Sequence, residues 1–130
     1  MMNFHESEEA IAELVSELPE EILRGLNMGV ALRPDTLYDD NGLVILGQYH
    51  VDPMGLGRYV TIYYGSMMEC YGWLPAESFR KKLRHVLHHE LTHHLESLAG
   101  DRTLEVQDEI DRMRYLGPGR RYVLRKKGGA

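Results

Sequence analysis

Two histidines and a glutamate near the middle of the chain have the types and spacing that suit hydrolysis at a metal ion. They form an HExxH motif, in which His89 and His93 are four residues apart and Glu90 follows the first histidine. On a helix, residues four apart lie on the same face, so both imidazoles can reach one ion. Glu90 lies about 100° further round, where its carboxylate can accept a proton from a water molecule. Because zinc lowers the pKa of a bound water to about 7, the motif indicates a zinc-dependent hydrolase.

The motif lies within a long predicted helix, where its chemistry requires it to be. This helix should begin at Pro75 and run to about Ala99, with Gly100 as its stop. Its apolar residues form an arc along one side, and the two motif histidines fall just beside that arc. The members of the arc are Phe79, Leu83, Val86, Leu87, Leu91 and Leu98. A metal site at the rim of a core is what a substrate cleft requires.

A catalytic zinc site takes three protein ligands and a water molecule, and the sequence leaves the third ligand open. Asp101 is the preferred candidate, because the break at Gly100 allows the chain to fold back and present this carboxylate. Glu105 and Glu109 lie on a predicted following helix and could reach back to the ion. Glu96 lies on the same helical face but one turn beyond the metal. The remaining alternative is a two-histidine site completed by water or by a neighbouring molecule.

The other histidines are not expected to be ligands. His85 is about 12 Å from His93 along the helix axis, too far to share one ion, and should lie at the surface or next to the ligands without binding the ion. His88 should point to solvent. His94 is near the apolar arc, where a hydrogen-bonded role in the core is expected, and His50 could approach the site from a strand end.

Three tyrosines are candidates for a phenol that stabilises an oxyanion: Tyr63, Tyr64 and Tyr115. For each of them, packing with the hydroxyl at the rim of the core is the preferred interpretation. Asp39 and Asp40 precede Asn-Gly and are interpreted as turn residues rather than as an acid pair.

The segments around the main helix predict an α+β domain. An amphipathic helix is expected over 7–18 with Ser7 as its N-cap, and Pro19 ends it or opens a short second helix. Strands are expected over 30–32, over 43–46 with room to run to Tyr49, and over 59–64. A last helix after the Gly100 break and a final strand or tail over 122–124 complete the prediction.

Composition and charge narrow the function classes. The 130 residues correspond to one domain, 1–130, with a core of about 6–117 and a basic tail over 118–130. A net charge of −5 argues against a general nucleic-acid binder, and no apolar stretch approaches the roughly 20 residues of a membrane span. No signal peptide is recognisable, so a cytoplasmic location is the default expectation. The single cysteine, Cys70, permits neither an intrachain disulfide nor a cysteine-based zinc site.

The stretch from Phe79 to Gly100 resembles the zincin-like metallopeptidase domain of small bacterial proteins, the mini-zincins. Further likeness lies upstream, and the resemblance covers roughly residues 6–105. Its elements are the segment VLHHELTHHL over 86–95 with its doubled histidine, the run LVSELPEE over 14–21, and the strand VTIY over 60–63. Members of that family usually continue the motif with xxGxxD. Here those two positions hold Glu96 and Ala99, and the glycine and aspartate come later, as Gly100 and Asp101.

The resemblance implies a minimal zincin-like core, in which a small three- or four-stranded sheet packs on the active-site helix with flanking helices. It implies one Zn²⁺ ion, a peptide or protein substrate, and an aspartate ligand, here Asp101, beside His89 and His93. The strand over 59–64 would be an edge strand able to pair with an extended peptide. The alternative is a zinc-binding module that holds a peptide or protein without appreciable catalysis, and a third hypothesis treats the histidines as incidental. The sequence assigns no oligomeric state.

Overall fold

The computed structural model describes residues 1–54 and 57–99, together with the backbone of one strand at 123–126. This part of the chain contains four helices and six strands, and the predicted α+β class is confirmed. In chain order they are α1 (Phe4–Ser16), α2 (Glu20–Leu23), β1 (Val30–Arg33), β2 (Leu37–Tyr38), β3 (Leu43–Ile45), β4 (Gly47–Val51), β5 (Arg58–Tyr63), α3 (Tyr64–Tyr71), α4 (Ala76–Ala99) and β6 (Val123–Lys126). Of the helices described, none combines the length and apolarity that a bilayer crossing requires.

The strands form two sheets of three strands each. In the first sheet the central strand is β5, which pairs in parallel with β1 and antiparallel with β4. In the second sheet β3 pairs antiparallel with β2 and with β6. The prediction that the strand over 59–64 is an edge is therefore wrong, because β5 has a partner on each side. Among the described strands, β4 is the edge of the first sheet that borders α4.

The segment expected as one strand from Leu43 toward Tyr49 belongs to both sheets. Only Leu46 separates β3 from β4; it is fully buried, and its carbonyl accepts a hydrogen bond from the Tyr63 N–H at 2.9 Å. The chain thus changes sheets without a loop. The hairpin between β2 and β3 confirms the predicted turn, since the Asp39 carboxylate accepts hydrogen bonds from two backbone amides of the turn and Gly42 has a φ of 78°.

Helix α4 is the centre of the core. It packs against β4 and β5 of the first sheet and against α1, with further contacts to α2 and α3. Every residue from Val86 to Thr92 is buried, so the middle of the helix is enclosed on all sides. Its largest fully buried apolar side chains are Phe79, Leu83, Leu87, Leu91 and Leu95. Each such side chain contributes about 1.5–3 kcal/mol to the free energy of unfolding, so the core fixes this helix firmly.

Helix α1 begins three residues before the predicted start. Asn3 is the N-cap: its side chain accepts a hydrogen bond from the Glu6 N–H at 2.8 Å, and the Glu6 carboxylate accepts one from the Asn3 N–H at 2.9 Å. Ser7, the expected cap, is instead fully buried inside the first two turns. The helix buries Ala10, Ile11 and Leu14 against the core.

Helix α3 was not predicted, because its sequence YGSMMECY lacks a clear apolar period. It buries Ser66 and Met67, and the Ser66 hydroxyl accepts a hydrogen bond from the Leu37 N–H at 2.9 Å. The strand β6 agrees with the final strand expected over 122–124, and it lies within the segment expected as a basic tail. The predicted last helix after the Gly100 break lies outside the described residues.

Candidate metal centre

The two motif histidines converge on each other. His89 Nε2 and His93 Nε2 are 3.2 Å apart, and the two rings are nearly perpendicular, at 88°. His89 is fully buried and His93 is half-buried. At zinc–nitrogen distances of about 2.0–2.1 Å and tetrahedral angles, two nitrogen ligands lie about 3.3 Å apart. The observed separation therefore fits two imidazoles that share one ion.

Glu90 lies beside this pair with its side chain almost enclosed. Its Oε2 is 4.0 Å from His89 Nε2, and the residue is 3% exposed. Gly47 of β4 makes this arrangement possible, because a Cβ atom at that position would lie 3.3 Å from Glu90 Cγ and 2.9 Å from Val86 Cγ1. The lack of a side chain at Gly47 lets the edge strand approach the helix at Glu90.

A cleft of about 630 Å³ runs between the edge strand and the second half of α4. One wall is β4, from Gly47 to Val51, and the other is formed by helix residues, among them Glu90, His93 and Ser97. The cleft places the edge of a sheet next to the histidine pair.

Among the described residues, the structure brings no further candidate ligand to the pair. Glu96 Oε1 is 3.5 Å from His93 Nδ1, the ring nitrogen opposite the one that faces His89. A carboxylate at that nitrogen orients an imidazole ligand and fixes its tautomer, so Glu96 fits an orienting role better than ligation. Within residues 1–54 and 57–99, no three metal-ligating side chains come together. The candidates Asp101, Glu105 and Glu109 lie outside the described residues.

The next residue along the helix, His94, is fully buried and has both ring nitrogens engaged, which confirms its expected role in the core. Its Nε2 is 2.7 Å from the Arg24 carbonyl oxygen, which can only accept, so Nε2 carries the proton. In the neutral ring Nδ1 then accepts a hydrogen bond from the Tyr49 hydroxyl at 2.9 Å. Arg58 Nη1 donates to the oxygens of Tyr49, at 3.0 Å, and Ser97, at 2.6 Å. Burial lowers the pKa of His94 and so favours the neutral ring of this pattern.

Two further histidines of α4 differ in exposure. His85 is exposed, as expected. The prediction that His88 points to solvent is wrong, since this residue is only 5% exposed. It lines a cavity together with Leu14 of α1 and Ile22 of α2. Burial, with the nearby charges of Arg84 and His85, lowers the pKa of His88 to about 4.

His50 reaches the cleft from β4, as considered for a strand-end histidine. It lines the cleft, and its ring stacks on Tyr59 with the centroids 4.3 Å apart and the planes 17° apart. Burial lowers the pKa of His50. The structure shows no contact between His50 and the histidine pair, so an approach of His50 to the metal site stays a prediction.

The hydroxyls of Tyr63 and Tyr64 form hydrogen bonds to other residues of the protein. Tyr63 donates to Gln48 Oε1 at 2.7 Å, and burial, followed by the nearby carboxylate of Asp35, raises the pKa of its phenol. Tyr64 donates to the Met2 carbonyl at 2.8 Å and thereby ties the N-terminus to α3. Tyr115 lies outside the described residues.

Sequence reasoning missed Gly47, Tyr49 and Arg58, three residues of the first sheet that contact α4. No local pattern marks them, because their partners are far away along the chain. The strand alternation of GQYHV could have shown that Gly47 and Tyr49 share one face. It could not have shown that this face meets Glu90 and His94.

Two solved chains match this protein. One of them, a conserved hypothetical protein from Thermus thermophilus, is 33% identical to this chain, with a TM-score of 0.65. The match covers 77% of this chain and 100% of that one. The chain therefore belongs to the same family as that protein. No protein-family model matches the chain, and no curated protein matches it.

Proposed function

We propose that the chain is a zinc-dependent peptidase in which His89, His93 and a third ligand, expected to be Asp101, hold the ion. The observation that carries the proposal is the convergence of His89 Nε2 and His93 Nε2 at 3.2 Å, with the Glu90 carboxylate beside them. Zinc at such a site polarises a carbonyl group and lowers the pKa of water to about 7.

Glu90 is the proton carrier of the proposed reaction. Its carboxylate accepts a proton from the attacking water and then donates it to the amine that leaves when the peptide bond breaks. The side chain is held in place for this role, because it is almost fully buried and β4 packs closely against it at Gly47. Glu96, at the Nδ1 side of His93, keeps that imidazole oriented.

The substrate of the proposed enzyme is an extended peptide that pairs with the edge of β4. An edge strand presents backbone N–H and C=O groups to an added strand, and this edge borders the cleft next to the histidine pair. Because side chains alternate along a strand, every second residue of such a peptide would face α4. This role belongs to β4 and not to the central strand β5.

The test compares the wild-type protein with Glu90→Gln and with a control, Glu20→Gln, whose glutamate is exposed on α2. We expect all three to bind one zinc ion per chain. Cleavage of a peptide library should fall by about 10²–10⁴-fold in Glu90→Gln alone, because only that variant lacks the proton carrier. Zinc content and turnover are measured on the same preparations.

Three outcomes would contradict the peptidase. Turnover that survives in pure Glu90→Gln would remove the mechanism. Stoichiometric zinc without cleavage of any peptide would favour the binding module instead. A melting temperature that responds neither to zinc nor to EDTA would make the histidines incidental.

A further inference from the structure

A second, smaller cavity lies between α4 and the corner formed by α1 and α2. Its volume is about 260 Å³, and it shares no lining residue with the cleft beside β4. Its apolar wall consists of Leu14, Leu18, Pro19 and Ile22. Three polar residues complete the lining: Glu17, Arg84 and His88. The cavity therefore combines an aliphatic surface with groups of both charges.

His88 is the feature of this cavity that points to a ligand. The residue is 5% exposed, and among the described residues the influences on its ring are burial and the charges of Arg84 and His85, with no hydrogen bond to the ring. A ring nitrogen that no residue bonds can form a hydrogen bond to a ligand or to water. Because His88 lines the cavity, a polar group of a bound molecule can form that hydrogen bond.

Glu17 and Arg84 contribute opposite charges to the lining of the cavity. Both side chains belong to exposed residues, and neither forms an ion pair with a described residue. Glu17 is the C-cap of α1, whereas Arg84 lies one turn before His88 on α4. A molecule that carries a carboxylate and an ammonium group on one end and an aliphatic group on the other complements this arrangement.

The size of the cavity restricts that molecule further. Pockets for drug-sized ligands have volumes of about 300–1,000 Å³, and this cavity is smaller. We infer that it binds a free aliphatic α-amino acid of about the size of leucine. The carboxylate meets Arg84 and accepts a hydrogen bond from the His88 ring, the ammonium group meets Glu17, and the side chain packs against the apolar wall. This site does not depend on the proposed peptidase activity.

The test is isothermal titration of the full chain with L-leucine, using Arg84→Gln and Glu17→Gln as variants. Arg80→Gln is the matched control, because Arg80 lies one turn earlier on α4, pairs with Glu13 at 3.9 Å and is outside the cavity. We expect binding with a Kd at or below about 1 mM, weakened about tenfold by each cavity variant and unchanged in the control. 4-Methylpentanoic acid, leucinamide and glycine each lack one recognised group, so each should bind more weakly than leucine.

Several results would overturn the inference. They are the absence of leucine binding, equal binding of leucinamide, and equal weakening by Arg80→Gln. Leucine that binds in the zinc cleft instead would be insensitive to Arg84→Gln, which would also count against the cavity. Because the assay measures binding and not turnover, a failure of the peptidase proposal would leave this test intact.

Discussion

His93 and His94 are adjacent on one helix, and the fold uses their rings in opposite ways. Both nitrogens of His94 bond to the protein, through the Arg24 carbonyl and the Tyr49 hydroxyl, and the residue is fully buried. His93 instead borders the cleft and turns Nε2 toward His89. The partners of each ring, and not the residue type, therefore distinguish a histidine that holds the fold from one that can hold an ion.

The comparison predicts that His93→Ala and His94→Ala affect different properties, zinc binding in the first and stability in the second. His93→Ala should weaken zinc binding by at least about a hundredfold, because it removes a proposed ligand, and should change the free energy of unfolding little. His94→Ala should lower the free energy of unfolding by about 2–5 kcal/mol, since it leaves a cavity and two unpaired partners. Zinc titration and urea unfolding of metal-free protein measure the two effects. Equal losses in both assays for both variants would break the distinction.

Gly47→Ala tests the close approach of β4 to α4 at Val86 and Glu90. The new Cβ would lie 2.9 Å from Val86 Cγ1 and 3.2 Å from the Thr61 carbonyl oxygen, so the helix or strand must shift. We expect a loss of about 1–3 kcal/mol in the free energy of unfolding and a fall in turnover, because Glu90 moves with the contact. Unchanged turnover at reduced stability would show that Glu90 is not positioned by β4.

Tyr49→Phe tests the stabilising role of His94 by removing one of its two hydrogen-bond partners. The change removes the hydroxyl that donates to His94 and accepts from Arg58, and should cost about 1–2 kcal/mol of unfolding free energy. The matched control is Tyr59→Phe, whose hydroxyl bonds to no described residue and whose loss should cost less than about 0.5 kcal/mol. Zinc affinity should stay within a few-fold for both. Equal stability of the two variants would mean that the Tyr49 hydrogen bonds contribute nothing net.

Asn3→Ala has the smallest expected effect. It is a control that shows how far a loss of stability alone changes zinc affinity and turnover. It removes the side chain that caps α1 and should lower the free energy of unfolding by about 1 kcal/mol. Zinc affinity and turnover should be unaffected, because the cap is remote from the cleft. If they fell as well, loss of stability alone could account for weaker activity in the other variants.

Local spacing is sufficient to predict the centre of the candidate site. The HExxH interval depends only on helix geometry, so it predicts that His89, Glu90 and His93 meet on one helix. The predicted helix over 75–99 agrees with α4. Local signals were again sufficient, because a proline, an apolar arc and a glycine mark the extent of this helix in the sequence. The third ligand, expected to be Asp101, stays a prediction.

The rest depends on contacts between distant segments, which no local pattern encodes. The parallel pairing of Val30 with Val60 places β5 in the middle of its sheet and leaves β4 at the edge. His88 is likewise buried near residues that are distant in sequence, since it lines a cavity with Leu14 of α1 and Ile22 of α2. Helix α3 is held by its contacts, such as the hydrogen bond between Leu37 and Ser66, more than by an apolar period.

The chain passes directly from one sheet to the other at Leu46, so a movement of the second sheet is transmitted to the first. Because a single residue joins β3 to β4, a partner that binds the β2–β3 hairpin and displaces it would also displace β4, which forms one wall of the cleft. Variation in that hairpin could then tune the width of the cleft while every residue that lines it stays the same.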